Sequence, residues 1–182
     1  MTAAPLLALG GPPGSGKSTA AKGVAEKLDW TVHSAGDIFR AMAAERQMSL
    51  LEFSWYAQEH PEVDLDIDEQ MARLAEPGRV LEGRLVGEFL RRRGAPSLWV
   101  DVTAREPVRA ERIAQRDHMT VAEALERTRA RERSERERYS KLYGIDLDSV
   151  RPDLVVDSSD LGRVEVVDRI LAFVRRPRPG SS

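Results

Sequence analysis

The sequence predicts an α/β fold, a five-stranded parallel sheet flanked by helices. Three observations predict it. Short apolar runs alternate with longer stretches of helical periodicity, the pattern of strand–helix–strand units. The first apolar run ends in glycines and opens directly into a helical segment. No internal repeat or long linker divides the 182 residues, a length that fits one domain with a real core.

Each element follows in order. Pro5–Leu9 could by itself be strand or buried helix, and the glycines after it make it a strand. Ser18–Leu28 is predicted helical, with Ala21, Val24, Ala25 and Leu28 on one face. Trp30–His33 is the second strand. Asp37–Glu45 is helical, with Ile38, Phe39 and Met42 on its apolar side. Ser49 followed by Glu52 is a capping-box pattern opening a helix through Gln58, and Pro61 breaks it. Asp64–Ala75 is a further helix, stopped by Pro77-Gly78. Arg79–Leu81 is the third strand, ending at Glu82-Gly83. Leu85–Arg92 is helical and closes at Gly94, and Leu98–Val102 is the fourth strand. Two helices follow, about Pro107–Asp117 and Val121–Tyr139, separated by Met119-Thr120. Leu154–Val156 is the fifth strand. The last helix, Arg163–Val174, spaces Val164, Val167, Leu171 and Val174 for a core face.

Composition excludes several functions. Charged residues make up 32% and hydrophobic residues 41%, ordinary for a globular chain. The net charge of −2 gives no strong pull toward nucleic acid or anionic membrane. No apolar run reaches transmembrane length and no signal peptide is visible, so a cytoplasmic protein is expected. Cysteine is absent, which removes disulfides and thiolate metal sites. His33, His60 and His118 are isolated and have no metal-ligand spacing. Arginine outnumbers lysine 24 to 4. Genomic base composition or two-pronged phosphate binding would each produce that bias, and only position can decide.

Gly11-Pro12-Pro13-Gly14-Ser15-Gly16-Lys17-Ser18, with Thr19 next, fits the pattern G-x-x-x-x-G-K-[ST] in its required strand–loop–helix context. The glycines let the backbone turn tightly and aim N–H groups at phosphate oxygens. The following helix adds the positive end of its dipole. Lys17 supplies a mobile charge for the β- and γ-phosphates, and the Ser18 hydroxyl is suited to magnesium. These parts predict a P-loop NTPase fold that binds a nucleoside triphosphate with Mg²⁺. No Asn-Lys-x-Asp segment for guanine follows, and motors and helicases need longer chains. Small-molecule and nucleotide kinases are the class of this size that is left.

Ser34-Ala35-Gly36-Asp37-Ile38-Phe39-Arg40 resembles the S-x-G-D-x-x-R segment of nucleoside monophosphate kinases. The resemblance implies that Arg40 holds the acceptor phosphate, with Ser34, Gly36 and Asp37 beside the acceptor. Leu81-Glu82-Gly83-Arg84 resembles the segment closing the third strand in these kinases, and Gly83-Arg84 is similar to the G-R of cytidylate kinases. Glu82 would then hold magnesium or its water at the carboxyl edge of the sheet. Asp101 is the rival acid, with a strand-end or helix-capping role as its simpler reading. Arg84 would clamp the acceptor phosphate.

Arg105, Arg109, Arg112 and Arg116 share one helix face, opposite Ala110, Ile113 and Ala114. A solvated basic face explains Arg105 and Arg109 equally well. Arg112 and Arg116 match the R-x-x-x-R pair that reaches the donor nucleotide in the family. After Ala130 the apolar stripe of the next helix disappears, and Arg131 to Arg138 are polar all round. Such a helix is expected to pack little and move easily, held at most by pairs such as Glu132–Arg136. The run is similar to the R-D-x-x-D-x-x-R lid of cytidylate kinases, with Glu132 and Glu135 where the family has Asp. Arg131 would serve phosphates, and Glu135 and Arg138 would reach the acceptor nucleoside.

The resemblance spans about 5–174 and is strongest to the compact cytidylate kinases of archaea. It implies a single P-loop kinase domain over 1–176, with an acceptor-binding helical insert at about 36–77 and a helical lid at about 119–140, while the Pro/Gly/Ser-rich composition of Arg175–Ser182 predicts a disordered tail at 177–182. It also implies a cytoplasmic monomer that takes ATP and CMP or dCMP and binds neither nucleic acid nor membrane. Lys17, Arg84 and Arg131 would carry catalysis. A kinase for another small acceptor, such as a different nucleoside monophosphate or shikimate, is the alternative within the class. An ATP-binding regulatory protein that transfers nothing is the alternative outside it.

Overall fold

Leu7–Gly10 forms β1, buried along its whole length, which is why it reads as an unbroken apolar run rather than an alternation. In the computed structural model, which describes residues 4–176, it is the central strand. The expected tail at 177–182 lies outside the described residues. The remaining elements are α1 (Lys17–Leu28), β2 (Thr31–Ser34), α2 (Ala35–Glu45), α3 (Leu50–Glu59), α4 (Glu62–Arg73), β3 (Arg79–Glu82), α5 (Val86–Arg92), β4 (Leu98–Thr103), α6 (Glu106–Asp117), α7 (Val121–Tyr143), β5 (Leu154–Asp157) and α8 (Arg163–Val174).

The strands run in the order β2-β3-β1-β4-β5, and every pairing is parallel. Register aligns their carboxyl ends: Leu9 pairs with Glu82, Gly10 with Asp101, and Ser34 with Glu82. Ligands in open α/β sheets bind beyond this edge. All three loops singled out in the sequence leave from it.

Period-2 alternation sorts the strand side chains to two faces. Leu7, Leu9, Val100 and Val102 face α1 and α8. Ala8, Leu81 and Trp99 face the helices α2 to α5. Burying one such aliphatic side chain contributes about 1.5–3 kcal/mol. The core face of α8 is Val166, Val167, Ile170, Leu171 and Val174. Val164, expected on that face, is exposed, because the helical stripe passes through Val166 and Ile170 instead. Among the described residues no helix is long and apolar enough to cross a membrane.

The largest correction concerns α7. Its first half packs conventionally, with Ala124 buried against Ile113 and Ala114 of α6. Its polar second half packs just as closely, against α3 and α4. Ser134, Glu135 and Arg138 are buried. The Ser134 and Ser54 hydroxyls are 3.0 Å apart, and Arg138 Nε donates to Asp64 Oδ2 at 2.8 Å. Gln58 reaches Glu137, and the Tyr143 hydroxyl donates to Asp68. The expectation of a loosely packed helix fails because a stripe of hydrogen-bonded polar groups replaces the apolar one. The expected Glu132–Arg136 pair is also absent: Glu132 bonds Arg109 at 2.5 Å, and Arg136 bonds Asp148 at 2.8 and 2.9 Å.

Candidate active site

Gly11, Gly14 and Gly16 take φ values of 135°, 77° and 89°. At Gly11 a side chain would also collide, since its Cβ would fall 2.0 Å from the Val102 carbonyl oxygen. Only glycine satisfies both demands there. The loop closes with Ser15 N–H donating to Pro12 O, and α1 begins at Lys17. The wall of β5 braces it, with Ser158 Oγ donating to Ser15 O at 2.7 Å. Arg112 donates to Ser158 Oγ and O at 2.9 and 2.7 Å, and Arg109 to Pro13 O at 3.1 Å. Ser15 Oγ is buried without a hydrogen-bond partner among the described residues.

Beyond the loop lies a cleft of about 900 Å³. Lys17 Nζ sits 3.7 Å from Glu82 Oε1, and Ser18 Oγ donates to that same oxygen at 3.0 Å. Burial pushes the Lys17 pKa down, with Arg131 and Arg84 adding to the effect and Glu82 and Glu135 opposing it. Two cations, from the loop after β3 and from α7, are therefore close enough to act on the same amino group.

Arg131 Nε bonds Glu135 Oε1 at 2.8 Å. Arg84 Nε lies 3.8 Å from Glu135 Oε2, and neither of those buried atoms has a hydrogen-bond partner among the described residues. Buried groups left in this state are poised for a ligand or water. Burial alone would raise the Glu135 pKa, yet Arg131 and Arg84 hold it below the usual carboxylate range. Gly36, Arg40, Gly83 and Arg84 also line the cleft.

Several expected residues stand elsewhere. Ser34 and Asp37 do not line the cleft. Ser34 Oγ caps α2 by accepting from Asp37 N–H at 3.2 Å, and Asp37 pairs with Arg40 at 2.5 Å. Arg105 and Arg116 are exposed and bond Asp160 and Asp117 respectively, although Arg116 still edges the cleft with Arg112. Arg109, open to a solvated reading, is buried against the P-loop. Glu82, not Asp101, meets Ser18. Asp101 instead accepts from Trp99 Nε1 at 2.7 Å, and burial raises its pKa.

Sequence reasoning missed Phe39, Asp64, Asp68, Tyr139 and Tyr143 as lining residues of the cleft. The signal was present. Asp64 and Asp68 are four apart on α4, as are Tyr139 and Tyr143 on α7, so each pair shares one helix face.

A family model described as an AAA domain matches residues 10–142. The chain is 42% identical over 171 residues to the cytidylate kinase of Archaeoglobus fulgidus, covering 92% of this chain and 93% of that one. It is 44% identical over 157 residues to the cytidylate kinase of Methanocaldococcus jannaschii, covering 85% and 88%. Among solved structures, a shikimate kinase from Acinetobacter baumannii in complex with shikimate aligns with a TM-score of 0.60 at 16% identity. That alignment covers 94% of this chain and 93% of the other and is a likeness of fold alone.

Proposed function

The chain belongs to the cytidylate kinase family, and from that premise we infer that it transfers the γ-phosphoryl group of ATP to CMP or dCMP, giving ADP and CDP or dCDP. The observation that carries the reading is a single cleft lined by the P-loop together with Arg40 and Arg84. Arg84 and the P-loop's Lys17 are close enough to interact electrostatically. Phosphoryl transfer asks for positioning and charge neutralisation rather than a nucleophilic side chain. The P-loop amides and Lys17 would cradle the donor phosphates, with Arg112 and Arg116 along the donor side. Arg40 and Arg84 would align the acceptor phosphate for in-line attack. Arg131 would meet the charge that develops on the migrating group. The burial around Lys17 would limit access of water, which competes with the acceptor.

The donor set fits magnesium. Ser18 and Glu82 offer oxygen ligands 3.0 Å apart beside the phosphate cradle, and this ion binds through few protein oxygens plus phosphates and water. When bound, it would supply positive charge to the donor phosphates. The reading includes a monomer acting in the cytoplasm on two small nucleotides, without nucleic acid or membrane. The net charge of −2 supports the absence of a nucleic-acid or membrane partner.

ADP release measured with ATP and each acceptor in turn tests the assignment. CMP or dCMP is expected to give the highest kcat/KM of the common monophosphates. A clear win for AMP, GMP or shikimate would reject the acceptor while leaving the P-loop reading intact, and ATP consumption without transfer would reject a kinase altogether.

The arginines separate by kinetic signature. Arg40→Ala and Arg84→Ala are expected to raise KM for CMP about tenfold or more while leaving ATP binding nearly unchanged, as for lost charge-assisted contacts to the acceptor. Arg131→Ala is expected to lower kcat chiefly, since its contact matters most in the transition state. Steady-state kinetics with the two substrates varied separately check all three. Weakened ATP binding with normal CMP binding in Arg40→Ala would place the acceptor site elsewhere.

A further inference from the structure

Asp68 has no place in the phosphoryl-transfer machinery, yet it lines the cleft on the insert side. Its neighbours there are Phe39, Ile67 and Met71, an apolar wall suited to a flat ring, and the phenol of Tyr143. Three acids approach this end of the cleft, and two have cations. Asp64 is bonded by Arg138. Glu135 stands between Arg131 and Arg84. Asp68 forms no ion pair among the described residues, and its one hydrogen bond comes from the Tyr143 hydroxyl to Oδ2. Oδ1 is left to accept from something in the cleft.

Resting on the kinase reading above, we propose that Asp68 is the specificity residue for the acceptor base, accepting a hydrogen bond from the exocyclic 4-amino group of cytosine. Cytosine carries an amino donor at the position where uracil carries a carbonyl oxygen. A carboxylate accepts from the first and repels the second. Tyr143 holds the carboxylate in place through Oδ2 and so acts as a positioning residue. The electrostatic setting agrees. Burial pushes the Asp68 pKa up to about 6, the Tyr143 bond opposes this, Asp64 on the same helix adds to it, and Arg93 beyond α5 opposes it weakly. The carboxylate is thus poorly compensated by the protein alone, and a ligand N–H supplies what is missing.

The test compares kcat/KM for CMP and UMP in the wild type, Asp68→Asn and Tyr143→Phe, with thermal melting and binding of a fluorescent ATP analogue as controls for folding. Asp68→Asn is expected to lose about 10–100-fold with CMP, mostly in KM, the range for a hydrogen bond to a charged group. UMP is expected to hold steady or improve, because the asparagine amide can donate to its 4-oxygen. Tyr143→Phe should shift the CMP-to-UMP ratio in the same direction by less. A merely structural role would lower both acceptors together and leave the ratio unchanged, and that result would overturn the proposal.

If Asp68→Asn does not fold, the wild type decides alone. The 2-pyrimidinone nucleotide, with hydrogen in place of the 4-amino group, is smaller than CMP and cannot clash. It is expected to be about tenfold or more poorer than CMP on the same grounds, and equal performance would sink the idea. A wild-type protein that phosphorylates no CMP would instead bring down the kinase reading itself, and this proposal with it.

Discussion

Lys17→Ala is expected to cut turnover with ATP and CMP by about 100-fold or more, the scale for losing a preorganised charge contact to a developing transition state. The amino group is shielded from solvent and stands 3.7 Å from Glu82, with Arg84 and Arg131 both acting on it. Its charge is therefore delivered into a site where water screens it little, and there a cation is worth most. The fold should survive. Glu82 keeps its hydrogen bond from Ser18, and the glycine geometry of the loop does not depend on the lysine. Single-turnover kinetics alongside circular dichroism checks this. Near-normal turnover from a folded variant would remove Lys17 from the chemistry.

A loss of stability is expected for Arg138→Ala, by about 3–5 kcal/mol, the scale for removing one member of a buried ion pair, in addition to whatever its place on the cleft contributes to acceptor binding. Arg138 is only 5% exposed and bonds Asp64, Ser54 and Ser134 at once. Without it, the Asp64 carboxylate stays buried between α4 and α7 with no cation. Urea unfolding at neutral pH measures the effect. The double variant Asp64→Asn/Arg138→Met should recover much of the loss, because it removes the stranded charge and refills the volume. A change under about 1 kcal/mol in the single variant would mean that the pair is effectively solvated.

Different physics made different parts of the molecule readable from sequence. The sheet and its loops were readable because local rules fix them. Buried parallel strands must be apolar, a phosphate-binding turn must be glycine-rich, and the Ser49/Glu52 box marks a helix start. The phosphate end of the site followed, because Gly11 to Ser18 form one continuous segment of the chain. The base end did not follow. Asp68 and Tyr143 are 75 residues apart, and Asp64 and Arg138 are 74 apart. Nothing local tells an acid on α4 which helix will cover it. The second half of α7 was misread for the same reason. Periodicity detects an apolar stripe, and the stripe that docks Ser134, Glu135 and Arg138 is polar. Ser34 and Asp37 were placed correctly along the chain but turned toward the α2 backbone and Arg40 rather than into the cleft.

The polar seam along α7 also makes that helix a ruler. Glu132 reaches Arg109 beside the P-loop, and eleven residues later Tyr143 reaches Asp68 on α4. At about 1.5 Å per residue the two anchor points are roughly 16 Å apart along one rigid axis. Arg131, Glu135 and Arg138 fall between and around them at spacings of four and three, so all three return to the face that lines the cleft. One residue inserted within that span would advance everything beyond it by about 1.5 Å and swing it through about 100°. Arg138 and Tyr143 would leave their acids while Arg131 stayed in place. Substitutions can therefore accumulate on the outer side of α7, but its length in register is fixed by the span between Arg109 and Asp68.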